Sequence, residues 1–218
     1  EFLVSPSQNV IINDADKVGT RGGYTRVGAS STARTAVLSS FDWTTSSGAG
    51  TAGNVERNLR HYDGNLEVWE GLAWETLLTG LSTTEPIRWT KWWNNTLAVD
   101  LLLFVNNSSI TYEWSGAIAK FSSVAATTIT KTGANTWTQD RFFTSGTRSI
   151  RVKDDGGTWR ESTYTGGEGT ATLTGLGTDL TGFTISAGAL VFQVVRTNSN
   201  NPAARYTNDF IGTIRNHV

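Results

Sequence analysis

DLLLFVNNSSITYEWSG, residues 100–116, is the stretch whose reading decides the fold. Residues 100–105 are almost wholly apolar, 106–109 are a polar turn cluster, and 110–114 alternate before a stop at Gly116. That pattern predicts a β-hairpin whose first strand is buried on both faces. The same device stands upstream in residues 58–71, NLRHYDGNLEVWEG, where Asp63-Gly64-Asn65 supplies the turn. Asp-Gly tolerates the positive φ that tight hairpins need. Both hairpins finish on Trp-x-Gly, at Trp69 and Trp114, 45 residues apart. That spacing falls within the roughly 40–50 residues of a β-propeller blade.

Working outward, strands are expected at 9–12, 35–40, 74–78, 87–93 and 97–105. Residues 1–34 read as an N-terminal arm, and 35–125 as two blade-like units of about four antiparallel strands each. Beyond 125 the chain is richer in Thr and Gly and lacks the Trp-x-Gly ending. Candidate strands there are 128–131, 136–143, 149–153, 158–165, 170–174 and 190–197. Residues 126–206 therefore read as an inserted module, a small β-sandwich or barrel. Residues 210–218, FIGTIRNHV, repeat the alternation of 88–97, so 207–218 are expected to begin a further blade strand. Two blades do not close a ring, so the chain is expected to be part of a longer protein or to be completed by a neighbour. The fold class is thus all-β: antiparallel propeller-blade-like sheets forming a partial propeller, with an inserted β-module. No window keeps a 3.6-residue apolar stripe over three turns.

Composition narrows the function. Lys+Arg number 18 against 19 Asp+Glu, with the signs interspersed, which offers neither nucleic acid nor an anionic membrane a basic patch. No segment reaches the ~18–20 apolar residues of a membrane-spanning helix. The absence of Cys excludes disulfides, thiolate metal sites and cysteine nucleophiles. Two histidines, His61 and His217, leave little for acid–base or metal chemistry.

The densest aromatic cluster is Trp89, Trp92 and Trp93. One reading is a contact surface for a sugar or a partner, with Lys91 and Asn94 beside it; the other is filler between sheets. On a strand Trp89 and Trp93 share one face and Trp92 takes the other, so the three do not form one flat platform. Glu67 and Glu113 alternate with apolar neighbours and are expected to face solvent, and no carboxylate pair suggests a glycosidase. Asp14-x-Asp16-x-x-Gly19 opens like a calcium loop, but Val18 stands at the fifth position, where an oxygen ligand belongs, and Thr25 at the twelfth, where glutamate belongs, so an ordinary turn is expected. No catalytic residue, metal ligand or cofactor site is assigned, and the protein is expected not to be an enzyme.

Three stretches carry a resemblance: SQNVIINDADKVGTRGGYTRVG at 7–28, WTQDRFFTSGTRSIRV with YTGGEGTATLTGL at 137–152 and 164–176, and TNDFIGTIRNHV at 207–218. In that order they resemble the start, an inserted β-module and the resuming strand of tailed-bacteriophage virion proteins with a propeller-like body. Gly22-Gly23-Tyr24 departs from the Arg-Pro-Gly-Tyr expected there. The resemblance implies a structural component of the phage particle, tail or head–tail associated, assembled in the host cytoplasm. Its implied partners are other virion subunits in a homo- or hetero-oligomer, with a glycan or cell-surface receptor as the alternative. It transfers no catalytic residue.

Overall fold

The computed structural model describes residues 10–13, 17–20, 37–45, 55–94, 99–106 and 110–197. It divides into two units, Glu1–Thr32 and Ala33–Val218. In the first, β1 (Val10–Asn13) and β2 (Lys17–Thr20) pair antiparallel, with Val10 opposite Thr20. Residues 14–16, the carboxylates of the calcium-like spacing included, lie outside the described residues, as do 198–218.

The second unit opens with a four-stranded antiparallel meander of β3 (Val37–Thr44), β4 (Glu56–Tyr62), β5 (Asn65–Trp69) and β6 (Trp74–Leu78), in that order. Tyr62 pairs with Asn65 across a two-residue turn in which Asp63 and Gly64 have φ of 49° and 71°. Both angles lie in the left-handed region that a type I′ hairpin turn requires, as the Asp-Gly dipeptide predicts. A second sheet follows with β7 (Arg88–Asn94), β8 (Val99–Val105) and β9 (Tyr112–Trp114). All of β8 is buried, Asp100 included, in keeping with a strand covered on both faces.

The chain then leaves this sheet. β10 (Ile118–Ala125), β11 (Thr128–Lys131), β12 (Ser149–Lys153), β13 (Trp159–Thr163), β14 (Thr172–Thr174) and β15 (Leu190–Gln193) form a six-stranded antiparallel sheet ordered β13-β12-β15-β10-β11-β14. A bridge between Gly166 and Thr174 draws its two margins toward one another without closing it. β16 (Arg196–Thr197) then pairs with β9, so the second sheet runs β7-β8-β9-β16. All strand pairs among the described residues are antiparallel, and no helix occurs among them.

The first two sheets stack through one core. Trp43, Leu59, Leu66 and Val68 of the first meet Leu102, Phe104 and Trp114 of the second, joined by Phe192 and Val195. Phe41 on β3 stacks on Trp89 of β7 at 5.8 Å, and Lys91 Nζ donates to the Thr44 carbonyl at 2.9 Å. The first strand of one sheet therefore lies against the first strand of the next. A second core, with Trp137, Phe142, Ile150, Val152, Tyr164 and Val191, serves the six-stranded sheet. Alternation along β12 sends Ile150 and Val152 into that core and Arg151 and Lys153 to the other face. There Arg151 lies 4.5 Å from the Trp159 ring, and Lys153 Nζ reaches Glu75 Oε2 of β6 at 3.0 Å.

Two expectations are corrected. The sequence reading has the second blade-like unit run to residue 125, but β10 pairs with β11 and β15, so the change of sheet falls between Trp114 and Ile118. Residues 136–143 were expected as a strand and form a turn instead. The Thr136 amide donates to Gln139 Oε1 (2.7 Å), the Gln139 amide donates to Thr136 Oγ1 (3.1 Å), and the Asp140 amide reaches the Thr136 carbonyl (3.1 Å). This is the reciprocal Thr-x-x-Gln capping arrangement, which satisfies the backbone locally and leaves it no need of a strand partner.

Candidate functional site

β7 owes its strand conformation to three β-favouring aromatics in seven residues, and it lies at the edge of its sheet. Alternation gives its tryptophans separate environments. Trp89 is half-buried between Phe41 and Phe104, 5.8 Å from each ring, and its indole N–H has no hydrogen-bond acceptor among the described residues. Trp93 shares the Trp89 face but sits opposite Asp100, beyond the aromatic stack, and is 42 % exposed. Trp92 faces the other way, opposite Leu101, and is 38 % exposed. The edge thus presents two indoles on opposite faces, and the third belongs to the core.

The carboxylates singled out in the sequence are not at the surface. Glu67 is buried and accepts from Arg60 Nε at 2.5 Å. Arg60 also lies 4.7 Å from the Tyr62 ring and 4.3 Å from the Trp74 ring. Glu113 is buried in an ion pair with Arg196, whose guanidinium covers the Phe143 ring at 3.6 Å. The expectation of solvent-facing glutamates fails because each has an arginine on an adjacent strand. Alternation alone identifies a face but not the charge that covers it. His61 is fully buried, and burial holds its pKa below the ordinary value, opposed in part by the Ser82 backbone.

No protein-family model, curated protein or solved structure matches the chain.

A polar cavity that sequence reasoning missed opens beside Gly116, lined by Arg57 of β4 and by Asn135, Gln139, Asp140 and Arg141 of the 135–141 turn. Its volume is about 190 Å³. Arg57 Nε donates to the Gly116 carbonyl at 3.0 Å, and Arg141 Nε to the Ser115 carbonyl at 3.0 Å. Arg141 also donates through Nη2 to the Asp100 carbonyl at 3.1 Å, which fastens the turn to β8. Burial lowers the Arg57 pKa, with Glu70 and then Asp140 opposing, and brings Arg141 down to about 10, with Asp100 opposing. Burial also raises the Glu70 carboxyl, although Arg57 lies beside it. The participants come from segments distant in the chain, so no local motif announces them. Among the described residues no group of three or more His, Asp or Glu is placed to hold a metal ion.

Proposed function

We propose that the two four-stranded sheets are successive blades of a propeller-like body and that the protein is a non-catalytic structural component of a bacteriophage virion. It is associated with the tail or head–tail region and acts through contacts with other virion subunits. The supporting observation is edge strand β7, whose Trp92 and Trp93 are exposed by 38 % and 42 %. An edge strand flanked by two large aromatic side chains is a surface natural monomers avoid and interfaces use. The strand order supports the blade reading. Each sheet runs outward from its first strand, Phe41 sits over Trp89, and Trp69 and Trp114 both end a third strand. On this reading residues 118–193 are a module inserted between the third and fourth strands of the second blade.

Receptor or glycan binding at the same tryptophans is less well supported, because their rings face opposite ways and offer no common stacking plane. Mass spectrometry of purified particles tests the proposal, together with particle incorporation of a Trp92→Ser/Trp93→Ser variant. The protein is expected in stoichiometric amounts, and the variant is expected to fold but fail to incorporate. Absence from particles, or glycan-array binding abolished by Trp93→Ala, would overturn this reading.

A further inference from the structure

We propose that the cavity between β4, Gly116 and the 135–141 turn binds a single neutral sugar residue, at a site separate from the tryptophan edge. The inference does not rest on the virion reading. Among the described residues, three of the groups around the cavity have hydrogen-bonding capacity left over. Asn135 uses its amide nitrogen on Asp140 Oδ1 at 3.0 Å, and its oxygen is unengaged. Gln139 uses its oxygen on the Thr136 amide at 2.7 Å, and its NH₂ is unengaged. Arg57 commits Nε to Gly116, while Nη1 makes only 3.5 Å contacts with the Glu56 carbonyl and Glu70 Oε1, and Nη2 makes none. None of these three atoms is a buried, unsatisfied group, so each is open to the cavity or to solvent.

The charge pattern selects the ligand class. Arg57 and Arg141 repel a cation, and the Asp140 carboxylate repels an anion. Asp140 is itself balanced by Lys131 Nζ at 2.7 Å, Arg57 lies beside Glu70, and the Asp100 carboxylate opposes Arg141, so the surroundings are close to neutral. Among the described residues no aromatic ring lines the cavity, which gives a nucleobase nothing to stack on. A hydroxyl both donates and accepts, so a polyol satisfies an amide NH₂, an amide oxygen, a guanidinium and a carboxylate together. Val55 and Ile118 supply the apolar wall for its C–H face.

The lining is held rigid before a ligand arrives. Arg141, a non-glycine residue, sits at φ 73° and is clamped through its guanidinium. Backbone held in that region costs about 1–3 kcal/mol and is kept where the surrounding structure over-determines it. In the same turn Gln139 is held by its bonds to Thr136, and Asp140 by Lys131 and Asn135.

Titration of the full chain with glucose, galactose, mannose and N-acetylglucosamine, followed by ¹H–¹⁵N NMR and calorimetry, tests the site. At least one sugar is expected to bind with a dissociation constant on the order of 1 mM. Gln139→Glu keeps the oxygen that caps Thr136 but removes the donor, and should weaken binding about tenfold. Arg57→Lys, which retains the charge without Nη2, should act in the same direction and decides the matter if the first variant misfolds. Trp93→Ala should leave affinity unchanged. No response to any of the four sugars would overturn the proposal, as would binding indifferent to both substitutions or binding lost with Trp93→Ala.

Discussion

The Trp114 indole N–H donates to the Gln193 carbonyl, 3.0 Å away and 79 residues later in the chain. This bond joins the end of β9 to the end of β15, where the chain leaves and re-enters the second sheet. The Gln193 side chain ties the same junction from within. Its Oε1 accepts from the Phe143 amide at 2.9 Å, and its Nε2 donates to the Ser149 carbonyl at 2.6 Å. The buried Tyr164 hydroxyl lies 2.9 Å from Oε1 and 2.7 Å from the Phe143 carbonyl.

Gln193→Leu should therefore destabilise the protein by roughly 1–3 kcal/mol, since it leaves the buried Phe143 amide without its acceptor, while the Ser149 carbonyl keeps the Val194 amide as a donor. Urea unfolding should show a lower midpoint with an unchanged slope. A midpoint equal to that of wild type would mean the network is dispensable.

Trp69 and Trp114 each end the third strand of a four-stranded sheet, but they should not be equivalent in energy. Trp114 is fully buried and packs 6.0 Å from Trp43, whereas Trp69 is half-buried against Trp74 at 5.5 Å. Trp114→Ala should cost about 3–5 kcal/mol, and Trp69→Ala less than half of that. Equal losses would contradict the difference in burial.

The glycines two residues beyond these tryptophans provide a matched pair. Gly71 and Gly116 have φ of 76° and 77°, so alanine is strained at either. A methyl group on Gly71 meets nothing within 4 Å, whereas one on Gly116 comes within 3.0 Å of the buried Trp43 ring. Gly71→Ala should cost about 1 kcal/mol from backbone strain alone, and Gly116→Ala at least 1 kcal/mol more from overpacking. Thermal melts of the two variants side by side check the order.

His61 should impose a pH dependence. Its pKa in the folded protein is lowered by burial, so the unfolded chain binds the proton more readily. The stability it contributes is complete above the unfolded value near 6.5 and is lost as pH falls toward the lower folded value. Denaturation midpoints should fall between pH 7.5 and 5.5 in wild type and flatten in His61→Phe. A slope that survives His61→Phe would place the titration elsewhere, and His217→Gln would then show whether the other histidine is responsible.

Strand identity in this protein is largely a local property. Alternation, β-branched runs and the Asp63-Gly64 pair are enough to place β4, β5, β8, β11 and β12, because a strand's pattern and a type I′ turn depend on residues next to one another. The turn at 135–141 escaped that reading. Its Thr and Trp content suits a strand, and the reciprocal bonds between Thr136 and Gln139 outweigh that propensity. Which strands share a sheet was decided only in three dimensions. β9 takes β16 as its neighbour rather than the nearby β10, a choice made by Trp114, Gln193 and the Arg196–Glu113 pair closing together. The polar cavity has the same origin: Arg57, Gly116 and Gln139 meet because separate segments pack, and long-range packing leaves no spacing in the sequence to read.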